Sequence, residues 1–176
     1  RIVYDADNGA FLNGLSAMSV TVWIKSNIIN TDKGFIIFTD PADSDARNIR
    51  YDAAGSSTGV TNCFKYGVTT NLGGQQLESP SGLQVTDWQH VAMTWVTDDH
   101  IQFYVDGTLR APGNPVADPC AGTTVGCTKL VVGQGCKDVA ASSWNGLIDD
   151  VRIYNKALTQ QQVKDIMRGD PKLAWN

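Results

Sequence analysis

NGLIDDVRIYNKALT, residues 145–159, sets two carboxylates side by side in a run that otherwise reads as a strand. Successive side chains of a strand point to opposite faces. Strict alternation puts Leu147, Asp149, Val151 and Ile153 on one face and Ile148, Asp150, Arg152 and Tyr154 on the other. Asp149 then falls among three apolar residues, where an unpaired charge costs several kcal/mol. A carboxylate there calls for a partner: a cation, a backbone N–H or Arg152.

Outward from this stretch, the same two-residue rhythm recurs along the chain. MSVTVWIKS (18–26) alternates Val20, Val22 and Ile24 against Thr21, Trp23 and Lys25. Further runs lie at 34–40, 48–54, 63–70, 88–96, 101–110 and 129–133, before the last at 147–154. In WQHVAMTWV (88–96), Val91, Met93 and Trp95 fall together, and IQFYVDGTLR (101–110) turns at Asp106-Gly107, a strong hairpin signal. About ten short strands at this spacing predict an all-β, two-sheet antiparallel sandwich. Gly73-Gly74 and Asp98-Asp99 read as turns. One short C-terminal helix is expected in LTQQQVKDIMRG (158–169), with Thr159 as cap, Gln162 closing a capping box, Gly169 ending it and Pro171 beyond. The domain is expected to span 1–170, with PKLAWN (171–176) starting a connection to a following domain.

The 176 residues suffice for one domain with its own core. The acidic residues are seventeen Asp and a single Glu, Glu78, and there are 17 Gly, a composition that favours turns over helices. With a net charge of −4 and no Lys/Arg cluster, nucleic acid and anionic membranes are not the expected partners. No apolar run reaches the ~20 residues of a membrane span. The chain opens on Arg1 without a signal peptide, so it is expected to be a piece of something longer. It contains no N-x-S/T sequon.

Cys63, Cys120, Cys127 and Cys136 form an even set, which predicts two disulfides and an oxidising, extracellular compartment. Cys127 and Cys136 bracket TKLVVGQG; nine extended steps span about 30 Å, against the ~6 Å Cα separation of a disulfide. Cys120–Cys127 with Cys63–Cys136 is preferred, and Cys63–Cys127 with Cys120–Cys136 is the fallback. Zinc would more often show paired C-x-x-C or nearby histidines, and neither occurs.

The order WIK, DWQHVAMTW, IQFYVDGTLR, LVVGQG, WNGLIDDVRIYNKALTQQQV resembles the LamG-like jelly-roll domains of the concanavalin A-like lectin/glucanase superfamily. The match runs from about Ser19 to Met167 and is weaker at the N-terminus. The resemblance implies a secreted two-sheet jelly roll, attached to a larger polysaccharide-active or surface protein and carrying structural Ca2+. In relatives the strand with the paired acids lies beside the N-terminal strand, and the chain ends build the calcium site. YDADNGAF (4–11) offers Asp5, Asp7 and Asn8 in D-x-D-N-G, so Asp5, Asp7, Asp149 and Asp150 are the expected ligands of an oxygen-rich shell. The alternative is that Asp149 accepts a backbone N–H or pairs with Arg152.

Two-carboxylate glycosidase chemistry needs paired acids, and Glu78 in GGQQLESP has no partner at strand spacing. His90 and His100 are expected to be structural or surface residues, and no nucleophile-elbow motif occurs. The expected protein is therefore not an enzyme but a carbohydrate-binding, lectin-like module for an oligo- or polysaccharide. Alternatives are a laminin G-like protein-interaction domain and a divergent polysaccharide lyase or hydrolase. Trp23, Trp88, Trp95, Tyr104, Tyr154 and Trp144 are assigned to packing. The polar stretch 41–80 supplies the expected ligand-binding set: Arg47, Arg50, Tyr51, Phe64 and Tyr66. Their bland reading is that Phe64 and Tyr66 are core and Arg50 pairs with Asp52. Arg168-Gly169-Asp170 spells an adhesion tripeptide but sits at a helix end, where the Gly is a cap.

Overall fold

The computed structural model describes residues 2–4, 9–39, 48–53, 60–112, 121–127, 129–134 and 142–169. Its strands are β1 (Ile2–Tyr4), β2 (Ala17–Ser26), β3 (Lys33–Thr39), β4 (Asn48–Asp52), β5 (Cys63–Thr70), β6 (Gly73–Glu78), β7 (Trp88–Val96), β8 (His100–Val105), β9 (Thr108–Pro112), β10 (Lys129–Val132) and β11 (Gly146–Tyr154), followed by helix α1 (Gln160–Met167). They form two antiparallel sheets, one of six strands in the order β1-β10-β3-β4-β5-β6 and one of five in the order β11-β2-β7-β8-β9. This is the expected sandwich.

The core lies between the sheets and follows the alternation. Val20, Val22 and Ile24 of β2, Val91, Met93 and Trp95 of β7, and Ile101, Phe103 and Val105 of β8 meet Ile49, Tyr51, Phe64, Tyr66 and Val68 of β4 and β5. Phe103 bridges the two sheets, stacked on Tyr66 with centroids 4.5 Å apart and tilted on Phe64 at 5.1 Å. Such aromatic pairs add about 0.5–1.5 kcal/mol beyond the area they bury.

β6 corrects the reading of Gly73-Gly74 as a turn. The turn is Asn71-Leu72, and both glycines already pair with Thr70 and Thr69 of β5. At Asp106-Gly107 both residues have positive φ, 52° and 68°, so the hairpin signal is met. A Cβ on Gly107 would also crowd the Lys164 side chain, so a bare glycine lets α1 lie close.

Helix α1 forms as its sequence dictates. The Thr159 side chain accepts from Gln162 N–H while Gln162 returns a bond to the cap, and Gly169 beyond the end has φ 75°. Its Val163 and Ile166 bury against Ala92, Tyr104 and Leu158, on the side of the five-stranded sheet that faces away from the core. Ser19 fixes the connection, donating to the Lys156 carbonyl and accepting from Leu158 N–H. Among the described residues no helix is long and apolar enough to cross a membrane.

The opening puzzle resolves in the backbone. β11 pairs Asp149 with Trp23 but Arg152 with Thr21, so one extra residue is inserted between them. Asp150 takes that position, with φ 48°; a short polar side chain tolerates this left-handed conformation better than most residues do. The bulge resets the alternation. Ile148, Val151 and Ile153 pack on the core, while Asp149 is exposed. The expectation that Asp149 shares a face with Val151 and Ile153 is thus corrected, because strict period two does not survive an inserted residue.

Candidate functional site

Each sheet has one face turned away from the shared core, and the two faces differ in chemistry. On the six-stranded sheet, Arg50 pairs with Gly34 and Lys65, and Lys65 with Glu78, forming one row across β3 to β6. Two cations directly opposite each other repel. Asp52 offsets this, with Oδ2 3.6 Å from Arg50 Nη2 and 3.8 Å from Lys65 Nζ. Arg50, Asp52 and Lys65 are buried, none more than 6% exposed. Charges this buried hold only as a mutually compensated set.

This arrangement decides the expected ligand residues. Tyr51, Phe64 and Tyr66 have the opposite parity to Arg50 and Lys65 and are fully buried in the core, so they do not form a stacking platform. Tyr51 packs edge-on against Phe64 and Trp144, and burial raises its hydroxyl to about 12 despite the bond it accepts from the Val85 N–H. Arg50 is paired with Asp52, but in a buried site rather than on the surface. Arg47 lies outside the described residues.

Cys63 and Cys127 also fall on different sides. Cys63 shares the outward row with Asp52, which it faces across the ladder, while Cys127 sits in the inter-sheet core. The fallback Cys63–Cys127 bond is therefore not made. Cys63 is a thiol donating to the Val60 carbonyl at 3.1 Å, so the preferred Cys63–Cys136 bond is not made either. Burial first, then Glu78 and Asp52, push this thiol up to about 12. Cys120 and Cys136 lie outside the described residues.

On the five-stranded sheet α1 covers the outward face over Ala92 and Tyr104, and the rest of that face, toward β11, is aromatic and open. Leu147, Lys25 and Trp88 form one row across β11, β2 and β7, and Asp149, Trp23 and His90 form the next. Trp88 is 41% exposed and Leu147 is 58% exposed. Trp23, Lys25 and Asp149 also reach the surface. Trp23 stands diagonal to Trp88, a placement within reach of large side chains. At the adjacent rim Asn27 and Asn145 hydrogen-bond through both backbone (2.8 Å) and side chain (3.0 Å). The assignment of Trp88 to packing is corrected. Its parity, opposite to Val91, Met93 and Trp95, was the available signal.

Under this surface Trp23 meets His90 edge-on, with centroids 5.3 Å apart and planes at 63°. His90 is 1% exposed. Its N–H donates to Asp106 Oδ1 at 2.9 Å, and Asp106 N–H returns a bond to the His90 carbonyl. His100, by contrast, opens β8 and lies 2.9 Å from the exposed Asp99 carboxylate.

The aspartate pair finds local partners. Asp149 Oδ1 accepts from Asp150 N–H at 2.8 Å, and Asp150 Oδ1 accepts from Arg152 Nε at 2.7 Å. A cation at Asp150 would compete with a guanidinium already in place. β11 also lies in the five-stranded sheet, whereas β1 pairs with β10 in the other, contrary to the expected side-by-side placement. Among the described residues no three His, Cys, Asp or Glu side chains gather to hold a metal. Asp5, Asp7 and Asn8 lie outside the described residues.

With this geometry in hand, the comparisons add a lineage. Residues 4–164 match the family model Laminin_G_3, described as concanavalin A-like lectin/glucanases superfamily. No protein of curated function matches the chain. Among solved structures, the CBM40 domain of the Ruminococcus gnavus IT-sialidase, bound to α2,3-sialyllactose, superposes with a TM-score of 0.65 at 15% identity, covering 93% of this chain and 91% of that one. A Bacteroides ovatus protein provisionally named a carbohydrate binding protein gives 0.65 at 18% identity, covering 85% of this chain, which spans only 40% of that protein. Domain 4 of AbnA, an extracellular arabinanase of Geobacillus stearothermophilus in complex with arabinotriose, gives 0.54 at 19%, covering 88% and 69%. At these identities the likeness is one of fold.

Proposed function

The chain belongs to the concanavalin A-like lectin/glucanases superfamily, and on that premise we propose that it is a non-catalytic carbohydrate-binding module. The observation that carries the proposal is the open face of the five-stranded sheet, where exposed Trp88 and partly exposed Trp23 lie diagonal to each other around Lys25 and Asp149. A pyranose has an apolar C–H face and a polar edge of hydroxyls. Indole faces take up the first; an ammonium and a carboxylate take up the second. The names of its structural neighbours support the same ligand class.

The non-catalytic reading rests on where the acid–base candidates lie. His90 is closed off beneath Trp23, and Glu78 is opposite Lys65 in the charged row. In the full reading the module is secreted and serves as an accessory domain of a larger polysaccharide-active or surface protein. Calcium is a separate proposal, now carried by the D-x-D-N-G chemistry of Asp5, Asp7 and Asn8, with Asp149 and Asp150 left out of the set. Chelator should then lower the melting temperature, and a temperature unchanged between calcium and EDTA would remove the ion.

The test of binding is affinity electrophoresis in gels cast with xylan, arabinan, β-glucan or mucin, repeated with Trp88→Ala. The proposal expects retardation by at least one polymer and its weakening in the variant. Unretarded migration in every gel, or retardation untouched by the substitution, would overturn it and leave the protein-interaction reading in its place.

A further inference from the structure

The buried imidazole beneath the tryptophan surface is not explained by packing alone. A wholly apolar ring would fill the same space, yet His90 Nδ1 is buried and makes no hydrogen bond. Leaving such an atom unpaired works against folding. The backbone of His90 is pinned on both sides by Asp106, so the ring has little freedom to seek a partner. Its edge-on contact fixes the angle of Trp23 relative to the sheet.

Resting on the carbohydrate reading above, we propose that His90 is a positioning residue of the tryptophan surface: uncharged, it holds the Trp23 indole in place for stacking, and once protonated it releases it. Every element packed around the ring bears on this. Trp23 of β2 supplies an uncharged indole. Bulge residue Asp150 favours the imidazolium, and Arg152 beside it on β11 opposes it. Asp106, in the β8–β9 turn, is engaged by the His90 N–H. The aliphatic stem of Lys164 of α1 packs over the neighbouring Gly107. Asp150, which favours the imidazolium, is already paired with Arg152. Burial is the dominant influence and pushes the imidazole down to about 4. A proton therefore arrives only in acid, and then into a site that offers its Nδ1–H no acceptor.

The experiment follows the indole N–H signals by NMR between neutral pH and about pH 4, with Trp23→Phe and Trp88→Phe identifying the two signals. The proposal expects the Trp23 signal to titrate while the Trp88 signal shifts little, and expects His90→Phe to abolish that titration. In the xylan and arabinan gels His90→Ala, which removes the ring, should weaken retardation roughly threefold to tenfold at neutral pH. His90→Phe should restore it and retain it in acid, where the wild type lets go. A Trp23 signal that stays flat to about pH 4, or titrates equally in His90→Phe, overturns the proposal. If His90→Phe does not fold, His90→Gln removes the titration equally and is read the same way. Absence of retardation at neutral pH overturns the carbohydrate reading instead, and the indole signal still decides the role of His90.

Discussion

The two sheets turn opposite kinds of chemistry away from their common core. On the six-stranded sheet Arg50, Asp52 and Lys65 form a cluster that is almost wholly buried, and each charge is there because another offsets it. On the five-stranded sheet Trp88 and Leu147 stand in solvent, with Lys25, Trp23 and Asp149 between and beside them. The buried cluster holds charge where the fold would suffer from losing it, whereas the open face holds apolar surface where the fold gains little. On the proposed reading, exposed aromatic surface rather than polar residues marks the ligand face of this sandwich.

That contrast can be broken most forcefully at Asp52. Asp52→Ala removes the carboxylate that two buried cations share, and the expected loss is about 3–5 kcal/mol of unfolding free energy, measured by urea denaturation. Polymer retardation of the folded fraction should be unchanged. A stability loss below about 1 kcal/mol would show that the cluster does not work as a compensated set.

Trp88→Ala should do the reverse. Stacking on an aromatic side chain contributes about 0.5–1.5 kcal/mol, so affinity is expected to fall roughly threefold to tenfold. The melting temperature should barely move, because a side chain already 41% exposed leaves little cavity.

Acid sharpens the comparison from a third side. The folded imidazole of His90 is depressed to about 4 from 6.5, so the unfolded chain binds its proton first. Stability should then fall as pH drops from about 6.5 to about 4 and level off below. Equilibrium unfolding across that range should show this slope in the wild type and a flatter one in His90→Phe. An unchanged slope would assign the acid response to other groups.

The smallest effect is expected at the bulge. Asp150→Asn weakens a half-exposed pair with Arg152 and should cost no more than about 1 kcal/mol in thermal unfolding. A larger loss would mean that the pair, rather than the backbone, holds the bulge.

Much of this was legible in the residues. Period two placed Val20, Val22, Ile24, Val91, Met93 and Trp95 inside; Trp23 and Trp88 have the opposite parity and face outward, although the sequence reading assigned both to packing. The capping box of Thr159 and Gln162 fixed the helix start. What escaped depended on register or on single dihedrals. The left-handed turn at Asp150 reversed the reading of Asp149, since an inserted residue leaves no trace in an alternation count. Strand β6 is a polar edge strand whose opening glycines look like a turn. The Arg50–Lys65–Glu78 row needs the pairing of three strands, which no local pattern supplies. Tyr51, Phe64 and Tyr66 were attractive as ligand residues because aromatic chemistry is the same in a core and on a surface; only parity separates the two.

The most direct measurement prints the wild type and a Trp23→Ala/Trp88→Ala double variant on the same glycan array, with circular dichroism confirming that both are folded. If the open face of the five-stranded sheet holds the sugar, the wild type lights a set of glycans and the double variant lights none of them. Glycans bound equally by both proteins would contradict that claim and move the site to another surface of the sandwich.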